Sequence, residues 1–136
     1  MRVAIAVLAD AANVREGTLS ILSAGINTTW RPEYPALLQA VLALLIEIPQ
    51  EDQIDSFELE VSFRRLDGGS TDPLPIGSAK VESEGITDGG PANVVPLVLG
   101  LEGFEIPAAG SYQFELSVTG LEPVFIPLRA MILEAE

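Results

Sequence analysis

Hydrophobic and polar side chains alternate with a period of two along much of this chain. That spacing puts one face of a β-strand in a core and the other in water. Phe57, Leu59, Val61 and Phe63 fall on one side of such a strand, with Glu58, Glu60, Ser62 and Arg64 on the other. Tyr112, Phe114, Leu116 and Val118 repeat the arrangement against Gln113, Glu115, Ser117 and Thr119. Val3, Ile5 and Val7 predict a first strand, and Thr18–Ile26 a second, with Leu19 and Ile21 on one face and Leu22 on the other. Weaker strands are expected at Ile76–Glu84, Val94–Leu101 and Val124–Leu133. Turn residues separate these segments, at Arg15-Glu16-Gly17, Asp67-Gly68-Gly69-Ser70, Asp88-Gly89-Gly90-Pro91, Ala108-Ala109-Gly110 and Gly120.

Ala36–Ile48 admits two readings. Its alanines and leucines favour a helix, whereas its strand neighbours and the bounding Pro35 and Pro49 favour a strand, the reading preferred here. As a strand it is apolar on both faces. Leu38, Ala40, Leu42, Leu44, Ile46 and Ile48 form one; Leu37, Val41, Ala43 and Leu45, with Gln39 and Glu47, form the other. A second apolar face needs a cover, so Leu37, Val41 and Leu45 are the candidate self-interface. About eight strands joined by short connections predict an all-β, antiparallel β-sandwich with Greek-key crossings, one domain over residues 1–136. Strictly antiparallel strands would send successive loops to opposite ends. One end would gather residues 27–35, 66–75 and 102–110, the other 10–17, 49–53, 85–93 and 120–123.

Composition then narrows the function. Seven basic and twenty acidic residues give a net charge of −13, which opposes binding to nucleic acid or an anionic membrane. The chain has no cysteine and no histidine. It therefore lacks thiolate nucleophiles, the usual zinc ligands and the commonest general base, and a non-enzymatic protein without a cofactor is expected. Met1–Ala9 is closed by Asp10 with no cleavage pattern, so it reads as a strand rather than an export signal. Leu37–Ile48 is too short for a membrane-spanning helix. The expected location is the cytoplasm of the producing cell. Lys80, the only lysine, shares a strand face with Glu82 and reads as half of a surface ion pair.

Two loop clusters are candidate sites. Asn27–Pro35 carries Trp30, Arg31 and Tyr34, with Phe104 in a companion loop. These are residue types enriched at binding hot spots, and they either plug the end of the core or contact a partner. The opposite end collects Asp10, Glu16, Glu51, Asp52, Asp88 and Glu122, with Asp55 just inside a strand. Calcium takes such carboxylates, but no D-x-D-x-D-G run is present; solvated loops are the preferred reading and no metal ligand is assigned.

The run Leu8-Ala9-Asp10-Ala11-Ala12-Asn13-Val14-Arg15-Glu16-Gly17-Thr18-Leu19-Ser20-Ile21-Leu22 resembles the opening of an uncharacterised family of short bacterial and phage-encoded β-rich proteins. Ile106-Pro107-Ala108-Ala109-Gly110-Ser111-Tyr112, Gly120 and Ile126-Pro127-Leu128 fit the same pattern. The resemblance implies a sandwich fold and a role as a decoration or accessory protein of phage particles, which would place it in the virion; it carries over no catalytic residue. The expected function is a structural or interaction module. It would form a homo-oligomer or dock on a protein lattice such as a capsid. The alternative is a lectin-like or small-ligand carrier using the Trp30/Tyr34 loop, with calcium as a possible aid.

Overall fold

The structure, a computed structural model, describes residues 1–49, 56–68, 72–82 and 92–134. These residues form eleven β-strands and no helix: β1 (Arg2–Arg15), β2 (Thr18–Ala24), β3 (Thr28–Arg31), β4 (Ala36–Leu37), β5 (Val41–Pro49), β6 (Ser56–Arg65), β7 (Leu74–Glu82), β8 (Ala92–Gly100), β9 (Glu105–Ile106), β10 (Gly110–Val118) and β11 (Val124–Ile132). A four-stranded sheet runs β2-β1-β5-β8 and a five-stranded sheet runs β3-β11-β10-β6-β7, with β4 and β9 forming a short separate pair. The chain passes directly between the two large sheets after β2, β5 and β7, and by way of β4 and β9 between β3 and β5 and between β8 and β10. The two sheets pack into a sandwich around one buried cluster.

The alternating segments form the centre of that cluster. Phe57, Leu59, Val61 and Phe63 of β6 are buried, as are Tyr112, Phe114, Leu116 and Val118 of β10, and the strands pair with Phe63 opposite Phe114. Leu8 of β1 and Leu42, Leu44, Ile46 and Ile48 of β5 cover them from the other sheet. Aromatic rings close one end. Phe63 stacks on Tyr112 with centroids 4.8 Å apart and meets the edge of Phe104 at 4.9 Å. The Tyr112 hydroxyl donates to the Ala108 carbonyl at 2.7 Å, as in the tyrosine corner of Greek-key sandwiches.

Three features depart from the sequence pattern. Ala36–Ile48 is extended, but it is two strands rather than one. Gln39 has φ 56°, which breaks the ladder between β4 and β5 while Leu38 and Ala40 stay buried. Strand β1 runs on through Asp10–Arg15, where a loop was expected. Glu16 (φ 52°) and Gly17 (φ 73°) make a two-residue turn with both residues left-handed, the geometry whose twist matches paired strands, and Arg15 pairs with Thr18. Finally, β3 pairs with β11 in parallel, so loops do not alternate strictly between the two ends. Asn27 and Leu66 nevertheless line one depression, and Asp67 and Ala109 the adjoining one, so residues of all three expected loops lie on this part of the surface. Of the opposite loop cluster, residues 50–53 and 85–91 fall outside the described residues. Strand β2 also approaches β8 without sharing hydrogen bonds with it, so the four-stranded sheet is bent rather than flat.

Phe114 is fully buried whereas Phe125, on the outer face of β11, is exposed. Phe114→Ala is expected to cost about 3–5 kcal/mol in urea unfolding, and Phe125→Ala less than about 0.5 kcal/mol. Equal losses would contradict the assignment of inner and outer faces.

Candidate functional site

Strand β3 separates the residues that the sequence groups together. Thr29 points into the core and is buried; Trp30, next along the strand, points outward and is 52% exposed. Trp30 lies opposite Met131 and Thr28 opposite Arg129. Arg31 turns back on its own chain. Its Nε donates to Leu37 O at 3.2 Å, Nη2 to Leu38 O at 2.8 Å and Nη1 to Trp30 O at 2.9 Å, which ties β3 to β4. Tyr34 is half-buried against the core and its hydroxyl donates to Met131 O at 2.8 Å. Desolvation raises the pKa of this phenol above its ordinary value. Phe104 is half-buried in the aromatic cluster. Of the four predicted partner-binding residues, Trp30 is therefore the one that faces solvent, while Tyr34 and Phe104 help to close the core.

A cleft of about 300 Å³ runs beside Trp30, lined by Asp10, Ile26, Arg31 and Gln39 among others. On the adjoining outer face of β11, Phe125, Pro127 and Arg129 are exposed. Arg129 has no ion pair among the described residues, although acids outnumber cations nearly three to one in the chain. Depressions of about 400 and 380 Å³ flank it, both lined by Ser111 and Arg129. The sequence reading passed over Phe125, Arg129 and Met131. Their signal was present in the alternation of Val124–Leu133, whose outward positions carry an aromatic, a cation and a methionine.

Several carboxylates on the remaining surface are held by local partners. Arg64 Nε donates to Glu115 at 2.6 Å and Gln113 Nε2 at 2.9 Å; these bonds, Arg64 first, hold the Glu115 carboxyl below its ordinary pKa. Asp67 accepts from the Ser111 backbone N–H at 3.1 Å and from Arg65 at 3.3 Å, and its pKa is lowered, chiefly by the Ser111 bond. That pair pins the turn after β6 to the start of β10. Lys80 and Glu82 do form a pair, at 3.9 Å with both ends exposed. Among the described residues no three carboxylates converge on a metal position. Glu51, Asp52, Asp55 and Asp88 lie outside them.

The candidate self-interface maps to the outer face of the four-stranded sheet, with changes. Register places Ile5, Leu45 and Pro96 in one row, Val7, Ala43 and Val98 in the next, and Ala9, Val41 and Gly100 in a third. None of these side chains is polar. The next position along β5, Glu47, pairs with Arg2 at 3.0 Å. Leu45 is half-buried, but Val41 is only 4% exposed within its own chain. Leu37 is exposed yet belongs to β4, in another sheet, because the chain breaks at Gln39. The three residues therefore do not share one exposed face; Ile5, Val7, Val94 and Val98 join Leu45 there.

A family model described as "Family of unknown function (DUF6941)" matches residues 4–131. The chain belongs to this family. No curated protein and no solved structure matches it. The family match takes in β2 to β10 and most of β1 and β11, so both surfaces lie within the family's domain. No helix is long and apolar enough to cross a membrane among the described residues.

Glu115 has a folded pKa below its unfolded value. Its contribution is thus present above the ordinary carboxylate range, near 4.3, and is lost as pH falls through the folded value. Glu115→Gln should lower Tm by about 2–5 °C at pH 7 and leave it unchanged at pH 2. A pH-independent loss in thermal melts would assign the effect to packing.

Proposed function

We propose that this protein is a non-enzymatic structural and interaction module that associates with copies of itself through the outer face of its four-stranded sheet. The observation that supports this is the contrast between its two outer faces. The five-stranded sheet presents Glu58, Glu60, Arg64, Lys80 and Glu115 to water, as expected of a solvated face. The four-stranded sheet has half-buried Ile5, Val7, Leu45, Pro96 and Val98 on its outer face with no polar side chain among them, while Ala9, Val41 and Ala43 of the same rows are buried within the chain. Antiparallel sheets exposed to water carry polar residues on the wet side, so an apolar outer face of this breadth is a contact surface. The acidic charge elsewhere restricts association to that face. A repeating protein lattice such as a phage capsid, the setting implied by the sequence resemblance, would use such a domain for its shape and buried area.

Trp30 supports a second reading, a lectin-like or small-ligand carrier. A half-exposed indole beside a cleft of about 300 Å³ can stack on a sugar ring or an apolar ligand.

Light scattering behind a sizing column separates the two. Self-association predicts a multiple of 14.4 kDa at micromolar concentration, and Leu45→Glu should return the mass to 14.4 kDa with an unchanged circular dichroism spectrum. A wild-type mass of 14.4 kDa throughout would overturn the proposal. Val41→Glu is instead expected to unfold the chain, because Val41 is buried. The carrier reading predicts a shift in the single tryptophan's emission on adding a glycan, abolished by Trp30→Phe; an indole silent to a glycan panel, with or without calcium, counts against it.

A further inference from the structure

On the outer face of the five-stranded sheet, Arg64 meets Glu115 and Lys80 meets Glu82, whereas Arg129 has no ion pair among the described residues. Register leaves it so. Thr28 and Ser111 lie opposite Arg129 on the two neighbouring strands, Pro127 and Met131 flank it along β11, and Trp30 and Gln113 are its diagonal neighbours; none is acidic. In a chain with twenty acidic residues, an exposed guanidinium bordered by no carboxylate on its sheet is a cation open to an anion from outside the chain. Asp67 lines one of the two depressions beside Arg129, but its carboxylate is taken up by the Ser111 N–H and Arg65.

Trp30 supplies the second contact. Its neighbours Thr29 and Ala130 are buried, so Trp30 and Arg129 project from the same side of the sheet. Strand spacing and rise put their Cα atoms about 8 Å apart. One sugar ring and its carboxyl group can bridge that span between two long side chains. The cleft beside Trp30 and a depression beside Arg129 adjoin, since Thr28 lines both.

We propose that Trp30 and Arg129 together bind a uronic-acid residue of a saccharide. The indole stacks on the sugar ring, and the guanidinium holds the ring's carboxylate through two parallel N–H···O bonds. This rests on the carrier reading of Trp30 and names the class of ligand. The unpaired guanidinium selects an acid over a neutral sugar. A single cation in a chain of net charge −13 selects one carboxylate over a polyanion. Asn27, Thr28 and Ser111 line the depression with amide and hydroxyl groups, which suit a ring bearing hydroxyls better than an apolar ligand.

Calorimetric titration of the full-length protein tests this. The probes are disaccharides ending in glucuronate or galacturonate, each matched against the same disaccharide with glucose or galactose in its place. One of the acidic disaccharides is expected to bind about tenfold or more tightly than its neutral counterpart. Arg129→Gln should remove that preference and leave the neutral affinity unchanged, while Trp30→Ala should weaken both members of the pair. Both residues are exposed, so the variants should keep the wild-type fold, which circular dichroism and thermal melting check. Equal affinity for acidic and neutral disaccharides, or a preference that survives Arg129→Gln, overturns the proposal while the carrier reading stands. Acetate binding as tightly as the uronate would show that the ring contributes nothing and would likewise overturn it. Failure of both acidic disaccharides to bind overturns it too; the carrier reading falls with it only when the neutral glycans are also silent.

Discussion

From Val41 to Ile46, strand β5 offers water no charged side chain on either face, and the architecture follows from the need to cover it. Leu42, Leu44, Ile46 and Ile48 are buried against the aromatic and aliphatic rows of β6 and β10. Each such side chain contributes about 1.5–3 kcal/mol on burial. β1 and β8 occupy its two edges, so its backbone groups are paired on both sides. Its other face is partly covered within the chain, at Val41 and Ala43, and partly open around Leu45. The strand is therefore both the centre of one core and the floor of the exposed apolar surface.

The opposite sheet is stabilised differently. Its inner face carries Phe63, Tyr112 and Phe114, and Phe104, from the connection before β9, packs against Phe63 and Phe114 at one end. Polar side chains then fasten the loops at that end to backbone. Arg31 holds the carbonyls of Leu37 and Leu38, Tyr34 that of Met131, and Asp67 the N–H of Ser111. Polar groups satisfied in this way hold the turns in place. Trp30 is excluded from the network by its position on β3 and remains on the rim of a cleft.

These two sheets give the molecule an asymmetric exterior: charged side chains line β6, β7 and β10 on one outer face, and Ile5, Val7, Leu45 and Val98 lie on the other. The chain carries no histidine or cysteine and a large acidic excess. Membership of a family of unknown function places the whole sandwich within one domain type without assigning it an activity.

The sequence by itself determined the strands whose signal is local. Alternation in β6, β10 and β11 sorts side chains to two faces because the side-chain period of a strand is two, whatever surrounds it. It also showed that β5 is apolar on both sides, and it grouped Trp30, Arg31, Tyr34 and Phe104 in loops expected at one end. Tertiary structure alone decided which of these face water. A shift of one residue reverses a strand's faces, and on β3 that register is set by parallel pairing with β11, about a hundred residues away, which local pattern cannot encode. The same holds at Gln39. The run Ala36–Ile48 reads as one strand, but the left-handed residue that splits it, and so removes Leu37 from the face of Leu45, is imposed by the packing of Leu38 and Ala40 into the core. Local chemistry specified the elements; long-range packing chose their faces.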